Sequence, residues 1–267
     1  MDTLNLYWQY LMLSIRAQMQ YRAAFLLAAS GQFLTTGVEF LGVWALFARF
    51  GHLYEWRLAH VAFFYSVVNC TFAIAEALSS GFDQFGTAYV KTGNFDRLLL
   101  RPRSVVLQLA GHELSLRRVG RLAQGGLVFV WAACWLDLDW HAGNIGLLGL
   151  TVVGGVYFFF ALVVLQATLA FWTTETLEIM NILTYGGVES AQYPMSIYQA
   201  TFRRFFTFVV PLACVSYFPL VGVLGLDDPL GSSRLFQYLS PLCGVLFLLG
   251  ALGVWQLGVR HYTSTGS

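Results

Sequence analysis

The side chains with which this sequence could do chemistry are few and scattered. Glu39 stands in one apolar run, His60 and Glu76 stand near the two ends of the next, and Asp137 and Asp139 alternate in a short acidic turn. Carboxylates and an imidazole could serve acid and base steps on a lipid. However, the sequence holds no His-Glu-x-x-His metal site, no Ser-His-Asp array and no Asp-rich magnesium motif. Leu78-Ser-Ser-Gly-Phe82 has no Gly-x-x-x-x-Gly-Lys-Ser/Thr run to accompany it, so the chain has no phosphate cradle of its own. Cys70, Cys134, Cys214 and Cys243 fall singly in separate apolar segments without a Cys-x-x-Cys pair, which suits packing rather than metal or disulfide chemistry.

What remains is chemistry of position. Gln32, Thr36 and Glu39 share one helical face, and Asn69 and Glu76 stand in the following run. A carboxylate at membrane depth is costly enough that it must face protein or water. Two roles stay open for these residues, a hydrogen bond between helices and the lining of a pathway. The richest stretch is Gly81 to Ser104, the longest polar interruption before position 173. There Asp96, Arg97, Arg101 and Arg103 stand beside Phe95 and the leucines 98 to 100. Exposed apolar side chains mixed with charge suit docking better than a free loop. In this reading Phe95, Leu98 and Leu99 anchor a partner, while Asp96, Arg97 and Arg101 set the register at the rim.

The elements that carry these residues follow from composition. The chain has 267 residues, 57% of them hydrophobic and only 11% charged, and its mean hydropathy is +0.63. A soluble domain carries about a quarter charged residues, so this is an integral membrane protein, all-α, with room for six spans of ~20 residues in one membrane domain. The net charge of +1 argues against a nucleic-acid partner. Leu4, Trp8, Leu11 and Ile15 recur at helical spacing, so residues 1–22 read as an amphipathic helix lying on the membrane, with Trp8 as its anchor. Apolar runs then predict spans at Ala23 to Ala48, Ala59 to Leu78, Leu122 to Leu136, Ile145 to Trp172, Phe205 to Leu226 and Leu239 to Val259. Pro211 and Pro219 predict a kinked or broken fifth span. Segments 81–118 and 173–204 are the two long polar connections, the second expected to hold two short helices around Gly186 and Gly187.

Taking the N-terminus as cytoplasmic puts both connections, with Arg117, Arg118, Arg121, Arg203 and Arg204, on the inside and leaves Arg49, Arg57 and Arg234 outside. The positive-inside rule therefore favours cytoplasmic termini and a cytoplasmic central loop.

The run Gly93-Asn-Phe-Asp-Arg-Leu-Leu-Leu-Arg-Pro102 is preceded by Gly81-Phe-Asp83. Further on come Tyr193-Pro194, a Pro211 that opens the fifth apolar run, and a closing Arg260-His-Tyr-Thr-Ser-Thr-Gly-Ser267. Together they resemble, over the whole chain, the six-span permease subunits of type-two ATP-binding-cassette (ABC) exporters, from which Pro219 is a departure. The resemblance implies a coupling helix between spans two and three and a second permease, either a copy or a different chain. It also implies a cytosolic ABC ATPase dimer that carries the ATP and Mg²⁺, no cofactor on this chain, and a place among the lipids of the bacterial plasma (inner) membrane. A lipid-acting membrane enzyme and a passive channel or scaffold subunit are the alternatives.

Overall fold

The computed structural model describes residues 3–112, 115–173 and 178–263, and among them the chain is helical with no strand. The helices are α1 (Thr3–Met19), α2 (Arg22–Phe50), α3 (Leu58–Ser79), α4 (Phe95–Leu99), α5 (Val105–His112), α6 (Val119–Trp135) and α7 (Ala142–Thr173). They continue with α8 (Glu178–Ala191), α9 (Ala200–Arg204), α10 (Leu212–Val215), α11 (Tyr217–Leu224), α12 (Arg234–Leu239) and α13 (Leu242–His261). Side chains 4, 8 and 11, which defined the amphipathic face of the first helix, lie outside the described ones. Glu178 runs into a single helix through Gly186 and Gly187, where two short ones were expected.

α3 is the centre of the bundle. Apart from His60, Asn69 and Glu76 its residues are apolar, aromatic or small, with no continuous polar face to turn to solvent, and Val61 to Val68 are buried on every side. It packs between α6 and α7, while α13 lies along α7 and α2 touches the bundle mainly through α6. The α7–α13 contact is backbone to backbone, because a Cβ on Gly244 would run into the Gly154 carbonyl oxygen. α2 is the outlier. Leu27, Leu34, Val38, Leu41 and Trp44 are exposed along it, an apolar face that the bundle does not cover.

Four helical stretches are long and apolar enough to cross a membrane, namely Arg22–Phe50, Leu58–Val90, Ala142–Thr173 and Leu242–His261; a bent pair makes up to five. They match the first, second, fourth and sixth predicted spans. Val119–Trp135, at 17 residues, starts slightly earlier than the predicted third and rises ~25 Å.

The fifth predicted span, Phe205 to Leu226, expected to be kinked or broken, is a bent helix pair. Its two halves, Ala200–Val209 and Leu212–Leu224, meet at 73°. After a wide turn at Phe205–Val209, Val210 leaves the helical region and Pro211 offers no N–H to continue the ladder. Ser216 breaks the helix again, and Pro219 then sits in the first turn of α11, where the missing N–H costs nothing.

Contacts show where this bent pair lies. Trp56, just before α3, donates from Nε1 to Ser196 Oγ at 3.0 Å, and its ring packs edge-on against Tyr217. The 22 residues of α3 separate Trp56 from the loop at the other end by ~33 Å. α8 runs along α3 between those levels, with Tyr185 on Phe72 and Val188 in the same core as Phe64. Val209 and Val210 reach back toward the middle of the bundle, facing Leu165 of α7 and Met180 of α8. At the far end of α11, Val223 O accepts from Asn144 Nδ2 at the start of α7. The pair therefore enters from the Trp56 end and returns to it. Arg203, which lies near Tyr217, is at the end of the bundle opposite the Gly81 to Ser104 loop. By these contacts the later part of 173–204 lies at the Trp56 end of the bundle, with α8 leading toward it.

Candidate functional site

Everything singled out in the Gly81 to Ser104 stretch gathers at one end of the bundle. Gly81 passes directly under the Leu109 carbonyl of α5, so close that a Cβ there would collide with it. Gly93 has a φ of 70°, in the left-handed region, and turns the chain into α4. Asn94 Nδ2 donates to Ala88 O at 3.3 Å, and Gln108 Nε2 reaches Leu98 O at 3.3 Å and Arg103 O at 3.2 Å, so both ends of α4 are tied.

The apolar side chains of α4 divide, and the division corrects the docking expectation. Phe95 is 0% exposed, with ring centroids 5.3 Å from Phe85, 5.3 Å from Phe171 and 4.8 Å from Tyr262. Trp255 closes the cluster at 5.1 Å from Phe85 and 5.3 Å from Phe171. Leu98 is buried in the same cluster. Phe95 and Leu98 are thus internal anchors, set into the ends of α7 and α13, and are not available to a partner. Leu99 at 42% and Leu100 at 85% exposure point outward. Arg97 and Arg101 are exposed beside them and Asp96 is half-buried. Spacing alone does not make this split, since Leu98 and Leu99, three and four residues after Phe95, flank it on one face and only Leu100 falls clearly elsewhere.

A second cluster stands one helix away. Arg118 Nη2 lies 2.9 Å from Glu76 Oε1, Arg121 Nη1 lies 3.6 Å from Glu76 Oε2, and Tyr185 Oη donates to Glu76 Oε1 at 3.2 Å. The three charged side chains are only 6–11% exposed. Two guanidiniums face one carboxylate, and the Arg121 guanidinium also stacks 5.2 Å over the Phe72 ring. Glu76 borders a cavity of about 280 Å³, lined also by Asp83, Gln166, Asn181, Thr184 and Tyr185. The sequence reading had Glu76 as an intramembrane polar residue and the arginines as topology markers. Their three-residue spacing at the start of α6, which turns both toward one carboxylate, was the available clue. Tyr185 had none.

The arrangement is a bundle with a seated, outward-facing helix at one end and, among the described residues, no assembled catalytic group. The ABC-2 family transporter protein profile matches residues 33–266. The chain belongs to the ABC-2 family of transporters. Members of this family are permease components and not themselves catalysts, and the apolar spans make this one a multi-pass membrane protein. No curated protein and no solved structure matches it.

The other polar positions of this ABC-2 permease are internal. Thr36 is buried, and its carbonyl oxygen accepts from Tyr65 Oη at 2.8 Å across the α2–α3 contact. Gln32 and Glu39, on the same face, are half-buried, and Glu39 lies near Tyr65. Asn69 is fully buried and donates to Tyr65 O at 2.9 Å within its own helix. Tyr65 Oη also meets Gln124 Oε1 at 3.4 Å. Thr36 thus takes part in a bond between helices, and Asn69 in one within its own. His60, Glu76 and the Asp137/Asp139 pair, the side chains suited to chemistry on a lipid, are not brought together. His60 accepts the Arg57 N–H through Nδ1 at the Trp56 end, Asp139 pairs with His141 in its exposed turn, and Glu76 is at the opposite end of α3.

Proposed function

We propose that this chain is the transmembrane permease subunit of an ATP-driven ABC exporter. It forms the translocation path with a second permease, and a separate cytosolic ATPase dimer supplies ATP and Mg²⁺ chemistry. The observation that carries this reading is α4. ATP binding can move spans only through a contact whose free energy differs between the two states of the ATPase. α4 offers such a lever, because Leu99 and Leu100 project from a short helix whose other face is locked into the ends of α7 and α13. Motion imposed on the exposed leucines passes to two spans through packed aromatic rings rather than through a slack loop.

In this proposal the loop end is cytoplasmic. Arg16, Arg22, Lys91, Arg97, Arg101, Arg103, Arg117, Arg118, Arg121 and Arg260 then stand inside, and Arg203 and Arg204 join Arg49, Arg57 and Arg234 outside. Six crossings result, with α6 as the third, α8 and the residues up to Tyr198 as the fifth, and the bent pair as a re-entrant hairpin on the outer side. Both termini are cytoplasmic, α1 lies on the inner leaflet, and the setting is the bacterial inner membrane. Residues 1–267 form one permease domain whose coupling loop is 81–118. The uncovered face of α2 is the surface left for lipid or the second permease.

Co-purification of the permease with an ABC ATPase tests the proposal, together with the double variant Leu99→Ser, Leu100→Ser. The expected result is a folded, inserted permease that no longer retains or stimulates its ATPase. Normal ATPase recovery and normal transport from that variant would remove α4 from any coupling role.

A further inference from the structure

Between α5 and α13 at the loop end lies an open groove of about 430 Å³, backed by Trp255 of the aromatic cluster and apart from the exposed leucines of α4. Its walls are Val105, Val106, Leu252, Trp255 and Val259, and its mouth carries Ser104, Gln256 and Arg260. From Leu252 to Arg260 the helix rises ~12 Å, so the groove runs from near the middle of a 20-residue span to its last turn. One guanidinium and no carboxylate lines it. Arg260 is exposed and makes no ion pair among the described residues.

We propose that this groove binds an anionic phospholipid of the leaflet at the loop end, with the phosphate at Arg260 and Ser104 and the upper part of one acyl chain between Val106, Leu252 and Val259. The charge argues for the headgroup, since a cation at the end of a span attracts anionic lipid across a short distance. The walls argue for a lipid over a free phosphate, because a soluble anion would leave them uncovered, whereas an acyl chain covers them along the groove's whole length. The position gives the lipid a consequence. Trp255 forms one wall and is also part of the cluster that seats Phe95, so an occupied groove packs against the base of α4.

The test uses the full chain, delipidated in detergent micelles, with Trp255 as the sole tryptophan and the others replaced by phenylalanine. Phosphatidylglycerol with brominated acyl chains should quench Trp255 at about fivefold lower concentration than brominated phosphatidylcholine, the preference that one basic residue near an anionic lipid confers. Arg260→Gln should abolish that preference while leaving the weaker quenching by both lipids. Val106→Phe, which fills the groove, should reduce quenching by either. Native mass spectrometry of the wild-type chain, which needs no tryptophan replacement, should show a retained phosphatidylglycerol that is lost in Arg260→Gln. Equal quenching by the two lipids, a preference that survives Arg260→Gln, or an unchanged adduct in that variant would overturn the proposal. So would displacement of the brominated lipid by inorganic phosphate as effective as displacement by phosphatidylglycerol, which would make the site one for a free anion.

Discussion

The loop end of the bundle is held by two clusters built on opposite principles. Around Phe95 the contact is made by apolar side chains, chiefly rings, with Phe85, Phe171, Trp255 and Tyr262 meeting it or each other at centroid distances of 4.8–6.1 Å and Leu98 beside them. Around Glu76 it is made by charge, a carboxylate between two arginines with a tyrosine hydroxyl closing the set. The ring cluster gains by leaving water, and any tight arrangement of its members is nearly as good. The ionic cluster loses by leaving water and recovers that loss only while every partner is in place. Hence the first tolerates small rearrangements and suits a seat that must transmit force, whereas the second specifies one register of α3, α6 and α8 and fails abruptly. The exposed face of α4 differs from both, since its residues contribute little to the fold.

Phe95→Ala should show the largest effect, a loss of about 3–5 kcal/mol from a cavity in the ring cluster, read as the midpoint of unfolding in detergent. Phe95→Leu should recover most of it, because shape and not chemistry is at stake. A loss below about 1 kcal/mol for the alanine variant would mean that α4 is not seated by its aromatic face.

Glu76→Gln comes next, at about 3 kcal/mol, although the amide nearly matches the carboxylate in size, because two buried guanidiniums lose their counter-charge. Adding Arg118→Gln should return part of that loss, the coupling expected within one network, and high salt should change neither value much. Strict additivity of the two changes would contradict a shared ionic cluster.

Leu99→Ser with Leu100→Ser should leave the unfolding midpoint within about 0.5 kcal/mol of the parent and weaken ATPase retention by about 2 kcal/mol, close to 30-fold. If stability falls instead, these leucines belong to the fold. Arg97→Gln and Arg101→Gln should be the mildest, about 0.2–1 kcal/mol each on ATPase retention and diminished by salt, as exposed pairs are. An effect larger than that of the leucine pair would move the anchor of the contact from the apolar tip to its charged rim.

Run length and composition determined the membrane class and placed Arg22–Phe50, Leu58–Ser79, Ala142–Thr173 and Leu242–His261 within a few residues, because the preference of a long apolar helix for lipid is a local property of its own residues. They also marked the Gly81 to Ser104 stretch as the place where polar and apolar groups meet. Three things were decided only in three dimensions. Phe95 and Leu98 turn inward and Leu99 and Leu100 outward, since an apolar side chain at a membrane border is satisfied equally by a partner or by its own chain, and only the placement of Phe171 and Trp255 chooses. Glu76 finds its cations more than 40 residues away, on a helix whose facing no local pattern fixes. The Phe205 to Leu226 run has the hydropathy of a span but returns to the end it entered from, because hydropathy reads the preference of side chains for lipid and is blind to the direction in which a backbone broken at Val210 and Pro211 continues.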